Sequence, residues 1–497
     1  MTDGRYAEIE IKYAVDDAVP VPDLSRVPGV AAVRPVPPTP LEAVYFDTAD
    51  RRLAHARIAL RRRRGGHDEG WHVKLPAAIG RTEVQGAIDP AAPDDPPEIV
   101  LAAVRSRIRN DPLEPIARIE NTRTATLLLD AAGAERVEFV DDHVRATDLG
   151  KQVVRSWREW EAEQVGDDPG ASAALLEAAD RLLLATGARH SPSPSKLAQA
   201  LGGGESPPAI EEPPATAGEA YRRILAGLVE ELHRDEFALQ HGGEEAVHAM
   251  RKTVRRLRSL LALAEVGGEE ATRLRERLRQ VGATLGDARD PAVMAGLAER
   301  LLHGLGDDLP GLAPARVRLV DGARESAETA RQRAVAAFGS APHLQLLADL
   351  DHFVSVPPEG RAAGEEPRRL EALGRDAERR AARRARRSDG SLPALHEARK
   401  AAKRARYVVE AIEAAEVSHS SSLHRAANRA ESVHDAVGAH RDLALFVADL
   451  PFTAAQATAD GENAYVYGLL AERGRREIKQ LARTVKKALA RLEAAVH

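Results

Sequence analysis

From residue 7 to about residue 200, apolar and polar positions alternate in short runs: EIEIKYAV, EAVYFDT, RIALRRRR, WHVKLP, TEVQG, TATLLLD, RVEFVDD and REWEAEQV. Period two is the signature of strands whose successive side chains take opposite faces. Turn-forming residues separate the runs, so the pattern predicts many successive strands in an antiparallel sheet or barrel. Two stretches, around 97–107 and 171–186, carry helical spacing instead. The alternation then stops. LGGGESPPAIEEPPATAG, residues 201–218, has almost nothing to bury and predicts a linker. Beyond it Ala, Leu, Arg and Glu recur at helical spacing for nearly the whole remainder, with a softer break at SVPPEGRAAGEEP, 355–367. The expected organisation is an α+β domain over 1–202, a Gly/Pro-rich linker over 203–217 and an all-α domain over 218–497.

The helical part repeats itself. His248 opens HAMRKTVRRLRSLL and His396 opens HEARKAAKRARYVV, 148 residues later; both fit H-x-x-R-K-x-x-[R/K]-R-x-R. Downstream lie LGDARD (285–290) and VGAHRD (437–442), both G-x-x-R-D. Two elements repeated in one order predict a duplication, with repeats over about 218–354 and 366–497.

Length and composition narrow the class. A chain of 497 residues exceeds one core. With no cysteine there is neither a disulfide nor a thiolate metal site. The N-terminal residues show no apolar leader, and no run of about 18 apolar residues predicts a membrane span. The expected location is cytoplasmic. The net charge of −5 conceals an asymmetry: residues 1–215 hold 26 Lys+Arg against 35 Asp+Glu, and residues 216–497 hold 45 against 41. An anionic partner must therefore be argued from local clusters.

Those clusters lie on particular strand faces. Glu8, Glu10 and Lys12 share a face of the first strand; Arg61 and Arg63 share one; Lys74 is out of phase with Val73; Glu159, Glu161 and Glu163 share one. For a single strand, a solvated face with cross-strand ion pairs is the simpler explanation. If the sheet closes, the rows converge on an interior with an acidic and a basic side. Buried charges need partners. A phosphate chain with a divalent cation satisfies both sides, the carboxylates taking the cation and the Arg and Lys side chains the phosphate oxygens.

E-x-E-x-K, YFDTADRRLAHARIALRRR, WHVKLP, GRTEVQ, ARIENTRT, VEFVDD, SWREWEAE and SPSKLAQAL, in that order, resemble the motifs of the CYTH, or triphosphate tunnel metalloenzyme, family over about residues 5–202. The resemblance implies an antiparallel β-barrel tunnel that binds triphosphates and hydrolyses them with Mg2+ or Mn2+. It implies metal ligands at Glu8, Glu10, Glu159, Glu161 and Glu163, and phosphate contacts from Lys12, Arg61, Arg63, Lys74, Arg118, Arg123 and Lys196. Glu8, Glu10, Lys12 and Lys74 would bear most directly on catalysis; Glu83 and Asp142 are further candidates. Inorganic triphosphate is the expected substrate. The alternatives are thiamine triphosphate, a nucleotide such as ATP, cyclisation of a nucleotide, or phosphate binding without catalysis.

On helices, His248, Arg251, Lys252, Arg255 and Arg258 form one cationic stripe, and His396, Arg399, Lys400, Lys403 and Arg406 a second. Like charges so spaced repel, so an anion is a natural counter-ligand, although charge runs are commonly solvated surface. The stripes and the L-G-x-x-R-D motif resemble the CHAD family over about 217–495. That resemblance implies two pseudo-symmetric helical bundles around a basic groove that binds inorganic polyphosphate, with Arg289 and Arg441 contributing. An association with polyphosphate granules follows as an expectation. Metal chelation by the histidines ranks below phosphate binding, because arginines far outnumber them. Nucleic acid is disfavoured: single strands are held by aromatic stacking, and aromatics are 3% of this chain. Oligomeric state is left open.

Overall fold

The computed structural model describes residues 5–494 apart from 67, 77–80, 167, 204–212, 307 and 415–420; for 5–8, 81, 169, 241, 414 and 421–423 it describes the backbone only. The chain divides into two compact units, 1–211 and 212–497.

The first unit is one antiparallel sheet. Its strands are β1 (Arg5–Glu8), β2 (Glu10–Ala14), β3 (Ala32–Pro35), β4 (Thr39–Asp47), β5 (Ala59–Arg64), β6 (Gly70–Pro76), β7 (Arg81–Gly86), β8 (Glu114–Leu129), β9 (Glu135–Asp148), β10 (Val153–Gln164) and β11 (Arg189–His190). Pairing runs β1-β7-β6-β5-β4-β8-β9-β10-β2. Only Ile9 separates β1 from β2, so the path returns to the segment it left and the sheet closes into a barrel. The long β8 and β9 also carry β3, and β2 carries β11.

Closure decides which way the alternating residues point. Tyr13, Phe139 and Trp160 face outward and are buried under α3 (Pro169–Ala185) through Leu175, Leu176 and Leu183. Under α3 the outer face is thus apolar, and the intervening Glu and Lys positions are left to the interior. Of the other helices in this unit, α1 (Arg52–His55) and α2 (Glu98–Ile108) follow β4 and β7, and α4 (Lys196–Ala200) packs on β8. The Asp of YFDT is structural. Buried Asp47 accepts hydrogen bonds from the Thr48, Leu53 and Ala54 amides at 2.7, 2.9 and 3.0 Å, which fixes the turn into α1.

The second unit is helical: α5 (Ala217–His241), α6 (Glu244–Leu260), α7 (Ala264–Leu302), α8 (Leu312–Arg316), α9 (Gly322–Phe338), α10 (Ala341–Ser355), α11 (Arg368–Arg386), α12 (Leu392–Ala414), α13 (Ser421–Ala459) and α14 (Tyr465–Ala494). Thr216 and Glu219 form a capping box that starts α5. Helices α5–α7, α9 and α10 share a core that includes Tyr221, Leu232, Met250, Leu257 and Leu347. Helices α11–α14 share a smaller, alanine-rich core that includes Ala381, Ala402, Val433 and Leu492. The counterparts are α7, which breaks at Gly268 (φ 71°), and α13, and α6 packs against α12. No helix among the described residues is long and apolar enough to cross a membrane.

Candidate active site and basic groove

Register fixes the lining of the barrel. Glu161 pairs with Lys12, Glu163 with Glu10, Glu159 with Asp142 and Arg123 with Asp142, so all of these share the inner face. On the other side Tyr45 pairs with Arg61, Ala43 with Arg63 and Lys74 with Glu83. Apart from Asp142 and Glu159, which lie just behind the wall, these residues line a cavity of ≈ 690 Å³.

One wall, from β2, β8, β9 and β10, is acidic. Carboxylate oxygens of Asp142, Glu159 and Glu161 lie within 4.8 Å of one another, and all three residues are buried. The Lys196 ammonium sits among them, 3.0 Å from Asp142, 2.6 Å from Glu159 and 2.8 Å from Glu161. Arg123 grips Asp142 at 2.8 and 3.0 Å and reaches Glu161 at 2.9 Å. Lys12 bonds Glu10 at 2.7 Å and also Glu161. Burial alone would raise the Glu161 carboxyl, but Lys12, Lys196 and Arg123 hold it well below the usual carboxylate range. Lys196 is held well above the ordinary lysine value: burial opposes this, and Glu161, Asp142 and Glu159 prevail. Glu161 and Asp142, both lowered, are therefore ionised at neutral pH. Among the described residues, buried Glu159 Oε1 has the Lys196 ammonium at 2.6 Å as an ion-pair partner and no well-aligned hydrogen-bond donor. Three clustered carboxylates offering one oxygen each suit a hard divalent cation, which Asp142, Glu159 and Glu161 would hold.

The opposite wall, from β5, β6 and β7, is cationic. Burial, then Arg61 and Arg123, push Arg63 down to about 9. Glu83 and Asp68 are the acids of this wall: Asp68 pairs with Arg63, and Glu83 has His72 Nδ1 at 2.7 Å and Arg61 at 3.8 Å. Its carboxyl is lowered to about 2 by His72, Lys74 and Arg61 against the effect of burial. The Tyr45 hydroxyl is lowered by Arg61 despite its burial. A cation depressed by its cationic neighbours, as Arg63 is, is stabilised by an added anion.

In the helical unit the two stripes meet where α6 packs on α12. Burial pushes Lys403 down to about 7, followed by Arg255, Arg399, Arg258 and Arg251, which come from both repeats. Burial also pushes Arg255 down to about 10, with Arg251 and Arg399 adding to the effect. The second duplicated motif supports the first. A Cβ on Gly286 would lie 3.2 Å from the Arg251 guanidinium, and one on Gly438 would lie 3.0 Å from that of Arg399. In each repeat, glycine lets the arginine of one helix lie across the next. Asp290 then bonds Arg251 at 3.2 Å. Arg289 and Arg441 stand near His248 and His396, whose protonation burial and these cations disfavour.

Sequence models of two domain families match this chain: the CYTH domain over 7–199 and the CHAD domain over 223–450. The chain belongs to the CYTH–CHAD proteins. Two uncharacterized proteins of Mycobacterium tuberculosis, from strains CDC 1551 and H37Rv, are each 34% identical to it over 98% of this chain and 98% of their own. Among solved structures it is similar to the CHAD domain from the plant Ricinus communis (21% identity, 56% of this chain and 93% of that one, TM-score 0.43). It is also similar to a putative adenylate cyclase from Bacillus halodurans (20% identity, 39% and 98%, TM-score 0.27). CYTH tunnel enzymes are metal-dependent triphosphatases or cyclases.

Within the CYTH domain, Glu10, Lys12, Arg61, Arg63, Lys74, Arg123, Glu161, Glu163 and Lys196 line the cavity, and Glu159 is buried beside it in the acidic cluster. Lys12, Arg123 and Lys196, expected against phosphate, engage the carboxylates instead, because buried carboxylates need close cations. Arg118 is a correction. It is out of phase with Ile119 and Arg123, pairs in register with Val44, and lies exposed on the outer face 3.7 Å from Glu42. Two positions of opposite parity on one strand cannot both face inward. The backbone of Glu8 pairs with that of Arg81, and its side chain lies outside the described residues. Asp142 emerges as a central member of the acidic cluster, and its pairing with Arg123 and Glu159 could not be read before strand register was known. Tyr45 and His72 went unnoticed; each shares parity with a cavity residue on its own strand or the next. Within the CHAD domain Arg406 is a second correction. It bonds Glu410 at 2.6 Å and Glu431 at 2.8 Å, and so is neutralised by acids of α12 and α13. His248, Lys252, His396 and Lys400 are exposed at the stripes' edges.

Proposed function

We propose that the CYTH tunnel hydrolyses inorganic triphosphate with Mg2+ or Mn2+ and that the CHAD domain binds inorganic polyphosphate. The observation that carries the first half is the division of one closed cavity into an ionised carboxylate wall and a crowded cationic wall. A bound divalent cation supplies neutralisation of phosphoryl oxygens and an activated water. Arg61, Arg63 and Lys74 orient the chain of phosphates and stabilise charge that grows on the leaving group. Lys12, Arg123 and Lys196 keep the carboxylates ionised and fixed, so that little reorganisation is needed during reaction. A pure anion binder gains nothing from buried carboxylates beside its ligand. The second half is supported by the convergence of two stripes on Lys403 and by the scarcity of aromatic residues, which disfavours stacked bases.

The test is phosphate release from inorganic triphosphate, thiamine triphosphate and ATP, each with and without Mg2+ or Mn2+. Metal-dependent release that is fastest from inorganic triphosphate is the expected result. A cyclic nucleotide formed from ATP would make the tunnel a cyclase. No turnover of any triphosphate, with polyphosphate still bound, would make both domains binding modules.

A further inference from the structure

The two stripes leave one large set of positive charges unexplained. The acids of helix α11 are already engaged: Glu371 bonds Arg375 and Asp376 bonds Arg379 within the helix, and Glu378 bonds Arg429 of α13. Arg380, Arg383, Arg384 and Arg387 follow at i, i+3, i+4 and i+7, which puts them on one face. All four are exposed, and among the described residues no carboxylate forms an ion pair with any of them. With Arg404 of α12 they line a cavity of ≈ 320 Å³. Beside it a cavity of ≈ 260 Å³ is lined by Arg255, Arg258 and Lys403 of the stripes. Arg384, Ala401 and Arg404 line both, so the two cavities adjoin. Glu397, a carboxylate in the smaller one, is bonded to Lys400 at 2.8 Å.

The simpler account is that cations gather near a helix C-terminus because the macrodipole favours them there. That effect is confined to the last turn, whereas this face begins at Arg380, earlier in a helix that ends at Arg386. It also gives no reason for the basic cavity that adjoins this face, where the nearest acids, Asp376 and Glu397, are already bonded to Arg379 and Lys400. We propose that the α11 arginine face extends the polyphosphate groove, so that a long chain bound at Arg255 and Lys403 continues past Arg384 along α11 and a short chain does not reach it. This inference rests on the polyphosphate reading of the CHAD domain. It adds that affinity increases with chain length through residues outside the duplicated motifs.

The test replaces Arg380, Arg383 and Arg387 by Gln in the full chain. Gln keeps helix propensity, and the positions are exposed, so the fold is retained; circular dichroism and thermal melting check this. Binding of long-chain polyphosphate and of a chain of a few phosphates is measured without divalent metal at several salt concentrations. Comparison with the unmodified protein cancels any contribution of the tunnel. The expected result is at least about a tenfold loss for the long chain and a salt slope shallower by roughly 2, as for about 0.7 per neutralised phosphate on a flexible strand. The short chain binds unchanged, and Lys at the three positions restores most of the slope. Unchanged long-chain binding in the Gln variant, with binding lost in Arg255→Glu or Lys403→Glu, overturns the extension and keeps the groove. Unchanged binding in all of these variants overturns both. Equal loss for long and short chains also overturns the extension, because it marks a general field. Tighter binding of a single-stranded oligonucleotide of matched charge overturns polyphosphate as the occupant.

Discussion

Lys403 should make polyphosphate capture fall steeply with pH. Its ordinary value of 10.5 is pushed to about 7 by burial and by Arg255, Arg399, Arg258 and Arg251. That difference corresponds to about 5 kcal/mol against the charged form. A polyanion lying on the stripe cancels the repulsion and returns the ammonium toward its ordinary value. Binding then requires the protonated form, of which about half is present at pH 7 and about a hundredth at pH 9. Affinity should fall about fivefold from pH 7 to 8 and about tenfold more from 8 to 9, with uptake approaching one proton per site at pH 8. The nearby histidines do not confuse this window: burial first pushes His434 down to about 4, and His248 and His396 are also lowered. Stability should move the opposite way. A lysine with a depressed folded value binds its proton more tightly when unfolded, so the ligand-free fold gains about 2 kcal/mol between pH 7 and 9. Calorimetry in two buffers of different ionisation enthalpy measures the proton uptake, and thermal melts measure the stability. Lys403→Arg should bind at pH 9 nearly as it does at pH 7. A flat wild-type affinity between pH 7 and 9, matching that variant, would refute the placement of Lys403 in the binding site.

Three further outcomes follow from the geometry. Glu10→Gln and Glu161→Gln should each lower kcat about 100-fold or more, and Glu161→Gln should also lose about 3–5 kcal/mol of stability, because Lys12, Arg123 and Lys196 all contact it. Steady-state rates and denaturant titrations check both, and full activity in either variant contradicts the acidic wall's role. Arg63→Ala should raise KM and lower kcat together and also lower Tm, because it leaves Asp68 without its ion-pair partner; a change in Tm with KM and kcat unchanged would make the row a structural network. Gly438→Ala should weaken polyphosphate binding severalfold by displacing Arg399, while helix propensity holds or raises stability by up to about 1 kcal/mol. Unchanged binding there would detach the G-x-x-R-D motif from the groove.

Strand alternation, the Gly/Pro-rich break and the helical repeat are local properties of the chain, and they sufficed for the barrel, the helical unit and the sharing of one face by Glu159, Glu161 and Glu163. Parity is a local rule as well, and applied strictly it separates Arg118 from Arg123. What no local pattern carries is which strands are neighbours and in what register. Asp142 joins the acidic cluster because β9 lies between β8 and β10, and Lys196 reaches it from a helix far along the chain. Spacing on α12 offers Glu410, four residues on, as a partner for Arg406, but it could not tell that Arg406 would also meet Glu431 of α13 while Lys403 met Arg255 and Arg258. Coulomb interactions depend on distances between side chains and on the water removed from around them. Sequence alone determined which residues are charged and which face they take. Only tertiary packing decided which charges are buried together, and so which are neutralised by one another and which still favour a ligand.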